Sequence, residues 1–201
     1  MPIKNPKPPI LNARVLAPHL GTISRSTLTG PPGQIFGMPP NTLQYSDPHR
    51  NYFVGLDSII DGHLLEEAEP RSWRYLFVQG TIGVGELEVA TSRSEQNEEV
   101  VDRFLAIHHG KSAQYTLDAL HSAESLPAVA KTEFELRFLQ VPALCFFAIW
   151  LHAPSADILI PTTDGVKSLK QGKPYSEHDV LTILEPRARQ AIDFNTDREF
   201  R

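Results

Sequence analysis

The chain has 201 residues, 41% of them hydrophobic and 21% charged, with a formal net charge of -5. Such a length can bury a self-sufficient core, and the acidic balance excludes a dedicated nucleic-acid binder, which needs a basic surface. One cysteine, Cys145, allows no internal disulfide, so a reducing, cytoplasmic setting is expected.

The first 50 residues stand apart. They hold ten of the 17 prolines, including Pro8, Pro9, Pro31, Pro32, Pro39 and Pro40, and proline removes a backbone donor and fixes φ. They carry five Lys/Arg and only Asp47, against 14 basic and 23 acidic residues in the remainder. Residues 1–50 are therefore expected to form a basic, proline-rich arm without regular structure, and residues 51–201 a single α+β domain. Ile10, Leu11, Val15, Leu16, Leu20, Ile35 and Phe36 would hold the arm to its own domain or to another chain. Proline interrupts every short apolar run near the amino terminus, so a secretory leader is not expected.

From Asn51 the pattern becomes regular. Asp61-Gly62 lies between apolar runs in "YFVGLDSIIDGHLLEE" and predicts a hairpin with a type I′ turn. "SWRYLFVQGTIGVGELEVA" reads as strands at Trp73–Val78 and Ile82–Val89, with glycines for the turn and a bulge. "TSRSEQNEEVVDRFLAIHHGK" reads as a helix capped by Ser92 or Ser94, with Val100, Val101, Phe104, Leu105 and His108 in a stripe and Gly110 as its stop. "SAQYTLDALHSAESLPAVA" is read as a short helix on the spacing of Leu117 and Leu120, although Tyr115, Leu117 and Ala119 also alternate as in a strand. "KTEFELRFLQV" alternates as a half-buried strand, with Phe134, Leu136 and Phe138 on one face and Glu133, Glu135 and Arg137 on the other.

The run "VPALCFFAIWLHAP" is apolar from Val141 to Leu151, eleven residues where a membrane helix needs about 20. No membrane association is expected. As a strand it places Cys145 among apolar groups and leaves a second face of Leu144, Phe146, Ala148 and Trp150 in need of a cover. "ADILIPT" is a further strand. "YSEHDVLTILEPRARQAIDF" opens with Ser176 and Asp179 in a capping-box arrangement, and Pro186 should kink the helix or begin a second one. Strand pairs, helices and the absence of regular β-α-β alternation predict an α+β fold: a largely antiparallel sheet with two or three helices packed on it.

Motifs for chemistry are few. Cys145 lacks a nearby base, since His152 lies on the opposite strand face, and a thiol buried among apolar groups is unreactive. Asp57, Asp61, His63, Glu66 and Glu67 cluster without the fixed offsets of a metal motif, and adjacent His108 and His109 do not share one helix face. No cofactor or metal is expected. Lys167, Lys170 and Lys173 lie in a glycine-containing loop ahead of a helix start and are the candidate ligand-binding residues, for an anion. "GVKS" does not complete a phosphate-binding loop, and "GTIGVGE" does not complete a dinucleotide fingerprint.

The leading expectation is a non-enzymatic binding or interaction protein that self-associates or serves as an accessory subunit, with a protein partner or second copy covering the apolar strand. The alternative is a small-molecule hydrolase or transferase drawing on Asp57, His63, His108 or Cys145. A third reading is a phosphate or polyanion binder acting through the 162–176 loop.

Overall fold

The computed structural model describes residues 3–12, 14–15, 44–45 and 48–199. In chain order the strands begin with β1 (Ile3–Lys4), β2 (Gln44–Tyr45) and β3 (His49–Phe53), followed by the short helix α1 (Leu56–Ile60). Then come β4 (Glu69–Gln79), β5 (Ile82–Arg93), β6 (Glu99–His109) and helix α2 (Lys111–Glu124). The chain continues through β7 (Phe134–Val141), β8 (Phe146–Ala153), β9 (Ala156–Pro161) and helix α3 (Glu177–Glu199). Pairing is antiparallel in every long ladder, β4–β5, β5–β6, β7–β8 and β8–β9, and the fold is α+β. Among the described residues no helix is long and apolar enough to cross a membrane.

Backbone contacts divide the chain into two units: Met1–Lys4, Asn51–Arg71 and Asp118–Arg201 form the first, Asn5–Arg50 and Ser72–Leu117 the second. In the first unit β8 lies between β7 and β9, and β1 pairs in parallel with β7. Period-two alternation separates two apolar faces. Phe134, Leu136, Phe138, Ile149, Leu151 and Ile160 pack with Ala119 and Ala123 of α2. On the other face Leu139, Phe146, Ala148, Trp150 and Leu159 pack with Ile59 of α1 and with Val180, Leu184 and Ala188 of α3. Both faces of β8 are thus covered from within the unit.

In the second unit β5 lies between β4 and β6, β2 pairs with β4, and Trp73, Tyr75, Leu87, Val89 and Val101 form the core. Ile10 bridges to Val100, and Val15 packs on this core. The bridge leaves Ile10 and Leu11 about half exposed. Leu16, Leu20, Ile35 and Phe36 lie outside the described residues.

Three local expectations require correction. The segment around Asp61-Gly62 is a helix end, not a hairpin. The Gly62 N–H bonds the Ile59 carbonyl and the His63 N–H the Ser58 carbonyl, with Gly62 at φ 84°. A Schellman stop and a type I′ turn both want glycine at positive φ, so the dipeptide alone cannot distinguish them.

The predicted helix over 92–109 is instead the end of β5, a turn and β6. Ser94 caps the turn by accepting the Glu98 N–H at its hydroxyl, and Asn97 takes φ 59°. The ladder runs Val89↔Phe104, Ala90↔Arg103, Thr91↔Val101, with breaks that leave Asp102 and Leu105 as extra, exposed residues. These bulges put Val101 and Phe104 on one side at a spacing of three, which imitates helical periodicity. Gly110 then precedes α2 instead of ending a helix.

The run from Val141 is also not one strand. Pro142–Leu144 form a 3-10 turn, and Cys145 sits exposed at φ 51° before β8 begins. Of the two outcomes expected at Pro186, a second helix does not form: the residue lies inside the continuous α3. Its absent N–H would have pointed toward the Thr182 carbonyl within the helix.

A candidate ligand cleft in the first unit

Cross-strand register brings polar groups together where the apolar face of the first sheet ends. Arg137 is opposite Trp150, and Glu135 is opposite His152. Trp150 is in turn opposite Leu159, and His152 opposite Asp157. Side chains directly opposite share a face, so two adjacent rows form: Arg137–Trp150–Leu159 and Glu135–His152–Asp157. They continue the face on which α1 and α3 pack.

A solvent-open cleft of about 520 Å³ lies over these rows, with Arg137, Trp150, His152 and Asp157 as its floor. The Schellman turn and the segment after it supply Gly62, His63, Leu65 and Glu66, and the first turns of α3 supply Glu177, His178 and Leu181. The start of α3 is fixed by reciprocal capping. The Asp179 N–H donates to Ser176 Oγ at 3.1 Å, and Ser176 Oγ donates to Asp179 Oδ2 at 2.7 Å. This contact with Ser176 holds the Asp179 carboxyl below its ordinary range. Glu177 Oε1 accepts the Leu65 N–H at 2.9 Å and ties the two walls together.

The Arg137 guanidinium lies 4.6 Å from the Trp150 ring centre and 4.9 Å from that of Tyr52 on β3. Those two rings meet edge to face at 5.1 Å. Arg137 Nε donates to Glu135 Oε1 at 2.8 Å, and among the described residues its terminal amino groups have no hydrogen-bonding partner. A planar cation held by two rings and one carboxylate is immobilised with two of its three nitrogens still available as donors.

Asp157 Oδ1 accepts Trp150 Nε1–H at 2.6 Å and lies 2.8 Å from His152 Nδ1. A carboxylate only accepts, so His152 Nδ1 carries a hydrogen in this contact, and whenever the ring is neutral Nε2 is its proton-accepting nitrogen. Edge-to-face packing of the His152 and Trp150 rings at 5.5 Å fixes the imidazole further. The cleft therefore combines a cationic anchor with a carboxylate-oriented histidine. His63 Nδ1 and Glu66 Oε2 form a second, more exposed pair at 3.1 Å. Among the described residues no three His, Cys, Asp or Glu side chains converge to hold a metal ion.

Of the residues singled out from sequence for chemistry, His63 and Glu66 line this cleft. Asp57 is exposed in the first turn of α1, and Cys145 is exposed in the β7–β8 turn. Lys167, Lys170 and Lys173 project from a loop anchored by buried Val166 and Leu169, and none lines the cleft. Lys173 lies over the Tyr175 ring, whose hydroxyl accepts the Lys170 N–H. Arg137, Trp150, His152 and Asp157 were not singled out, because their meeting depends on the pairing of three strands.

His108 belongs to the second unit, in a buried ion cluster. Arg74 lies 3.4 Å from Glu86 and 3.3 Å from Glu88, while His108 Nε2 lies 3.1 Å from Glu88 Oε2 and Ser72 Oγ donates to Glu88 Oε1 at 2.6 Å. Burial alone would raise the Glu88 pKa, but His108, Arg74 and Ser72 together bring it to about 2. Nearby, Glu99 accepts from Thr91, Trp73 and Arg50, and these contacts outweigh its burial to hold its carboxyl below the ordinary range. Glu88 and Glu99 meet partners on both oxygens, the condition for burying charge, whereas Glu86 meets Arg74 through Oε2 and its buried Oε1 has no hydrogen-bonding partner among the described residues.

Comparison with known protein families, curated proteins and solved structures finds no match.

Proposed function

We propose that this protein binds a small molecule in the first-unit cleft, and that an acidic group of the ligand is taken by Arg137. The observation that carries this reading is the clamped guanidinium, whose Nε is committed to Glu135 while its terminal amino groups are not. Planar arginine matches the two oxygens of a carboxylate or phosphate, which lysine cannot do. The cleft volume is within the ordinary range for small-molecule sites. The expectation of a partner rested on the second face of β8 and on the oppositely charged amino-terminal arm; α1 and α3 fill the β8 face, so that face supplies no argument for a second chain.

Calorimetric titration of the full chain with a panel of small carboxylates and phosphate esters, with and without amino groups, tests the proposal. At least one should bind, and Arg137→Lys should weaken it about tenfold or more through loss of the forked contact. Absence of any binder, or an unchanged affinity in Arg137→Lys, would refute it.

The His152–Asp157 hydrogen bond favours a second reading, an enzyme in which His152 moves a proton on the bound molecule. A ligand that the wild-type protein converts, and that His152→Gln binds without converting, would select it.

A further inference from the structure

We infer that the ligand is a zwitterion of amino-acid type with an apolar side chain. The inference rests on the anchoring role of Arg137 and adds what the rest of the cleft requires. Along with Arg137, the lining includes Glu66, Asp157 and Glu177. A plain anion would gain one cation and meet three carboxylates, so its net electrostatic return is poor. Each acid is half used. Glu177 Oε1 holds the Leu65 amide, Glu66 Oε2 faces His63, and Asp157 Oδ1 serves Trp150 and His152. Among the described residues Glu177 Oε2, Glu66 Oε1 and Asp157 Oδ2 have no hydrogen-bonding partner.

Donors are thus concentrated at one place on the floor, and acceptors lie chiefly on the walls. A molecule with a carboxylate for Arg137 and an ammonium group for Glu66 and Glu177 meets both demands and enters without net charge. Leu65 and Leu181 add apolar lining to the same cleft, which suits an aliphatic or aromatic side chain.

Matched probes separate this inference from the broader one. Leucine and phenylalanine would be titrated calorimetrically beside their deaminated acids, isocaproate and hydrocinnamate, and their decarboxylated amines, isoamylamine and phenethylamine. At least one amino acid should bind about tenfold or more tightly than both of its truncated counterparts. Glu66→Gln, which changes a side chain 79% exposed, and Glu177→Gln, whose amide oxygen can still accept the Leu65 N–H, should each weaken the amino acid and leave the acid unchanged or tighter. Far-UV circular dichroism checks that both variants fold; Glu66→Gln carries the test if Glu177→Gln does not. If acids bind as tightly as amino acids, or both Glu variants bind the amino acid like the wild type, the zwitterion inference is overturned and the Arg137 proposal stands. If amines bind as tightly as amino acids and Arg137→Lys is without effect, both are overturned, as they are if no probe and no panel acid binds.

Discussion

Glu88→Gln is the sharpest test of the ion cluster in the second unit. The substitution keeps shape and one acceptor but removes the charge that faces Arg74 and His108. A carboxyl whose pKa is about 2, against an ordinary value of 4.5, contributes about 3.5 kcal/mol at about 1.4 kcal/mol per pKa unit. Since 13% of the Glu88 side chain still reaches solvent, screening reduces the working figure to about 2 kcal/mol. The sign follows from the direction of the shift. Folding favours the ionised form, so the contribution is complete above the unfolded pKa and disappears as pH falls through the folded one. Urea unfolding at pH 7, followed by circular dichroism, should place Glu88→Gln about 2 kcal/mol below the wild type. At pH 3 the gap should shrink to about half or less, because the unfolded wild-type chain is then protonated. A gap that is absent at pH 7, or does not change with pH, would refute the argument.

His49 governs a separate, milder acid range. Burial first, and the Arg74 charge second, lower its pKa to about 3, so the folded protein keeps it neutral where the unfolded chain takes up a proton. Stability is therefore complete above the unfolded value and is lost as pH falls, by about 2 kcal/mol between pH 7 and pH 5. His49→Gln should flatten that fall in urea titrations at the two pH values; an equal fall in the variant would show that another group is responsible. Cys145, exposed in the turn, should react stoichiometrically with Ellman's reagent in native buffer within minutes. Reaction only after denaturation would restore the buried position that its apolar neighbours suggested.

The sequence is legible where one period governs an element and misleading where two conformations share a signal. Alternation in Phe134–Phe138 identified β7 and both its faces, and the Ser176–Asp179 pair identified the start of α3. Bulges at Asp102 and Leu105 made β6 resemble a helix, and a Schellman glycine made the end of α1 resemble a hairpin. At Cys145 a composition argument failed for a different reason: an apolar run can contain a turn if the chain must reverse between two paired strands. Proline at 142 was the available sign, since it suits a 3-10 start better than a strand interior.

The cleft was legible only in halves. Glu135 and Arg137 could be placed on one face of β7, and Trp150 and His152 on one face of β8, but sequence did not give the register joining them. That register follows from packing. Because both faces of the β7–β8 ladder are apolar for most of its length, sliding one strand by a single residue would exchange Leu139 with Phe138 and turn Arg137 toward the core beside Ile149 and Leu151. The large burial cost of that cation excludes the slip. The same Phe138↔Ile149 and Leu139↔Ala148 pairs that build the interior therefore align Arg137 with Trp150, and Glu135 with His152. A core mutation at these pairs should consequently act on the cleft through register and packing, even though none of the four residues lines it.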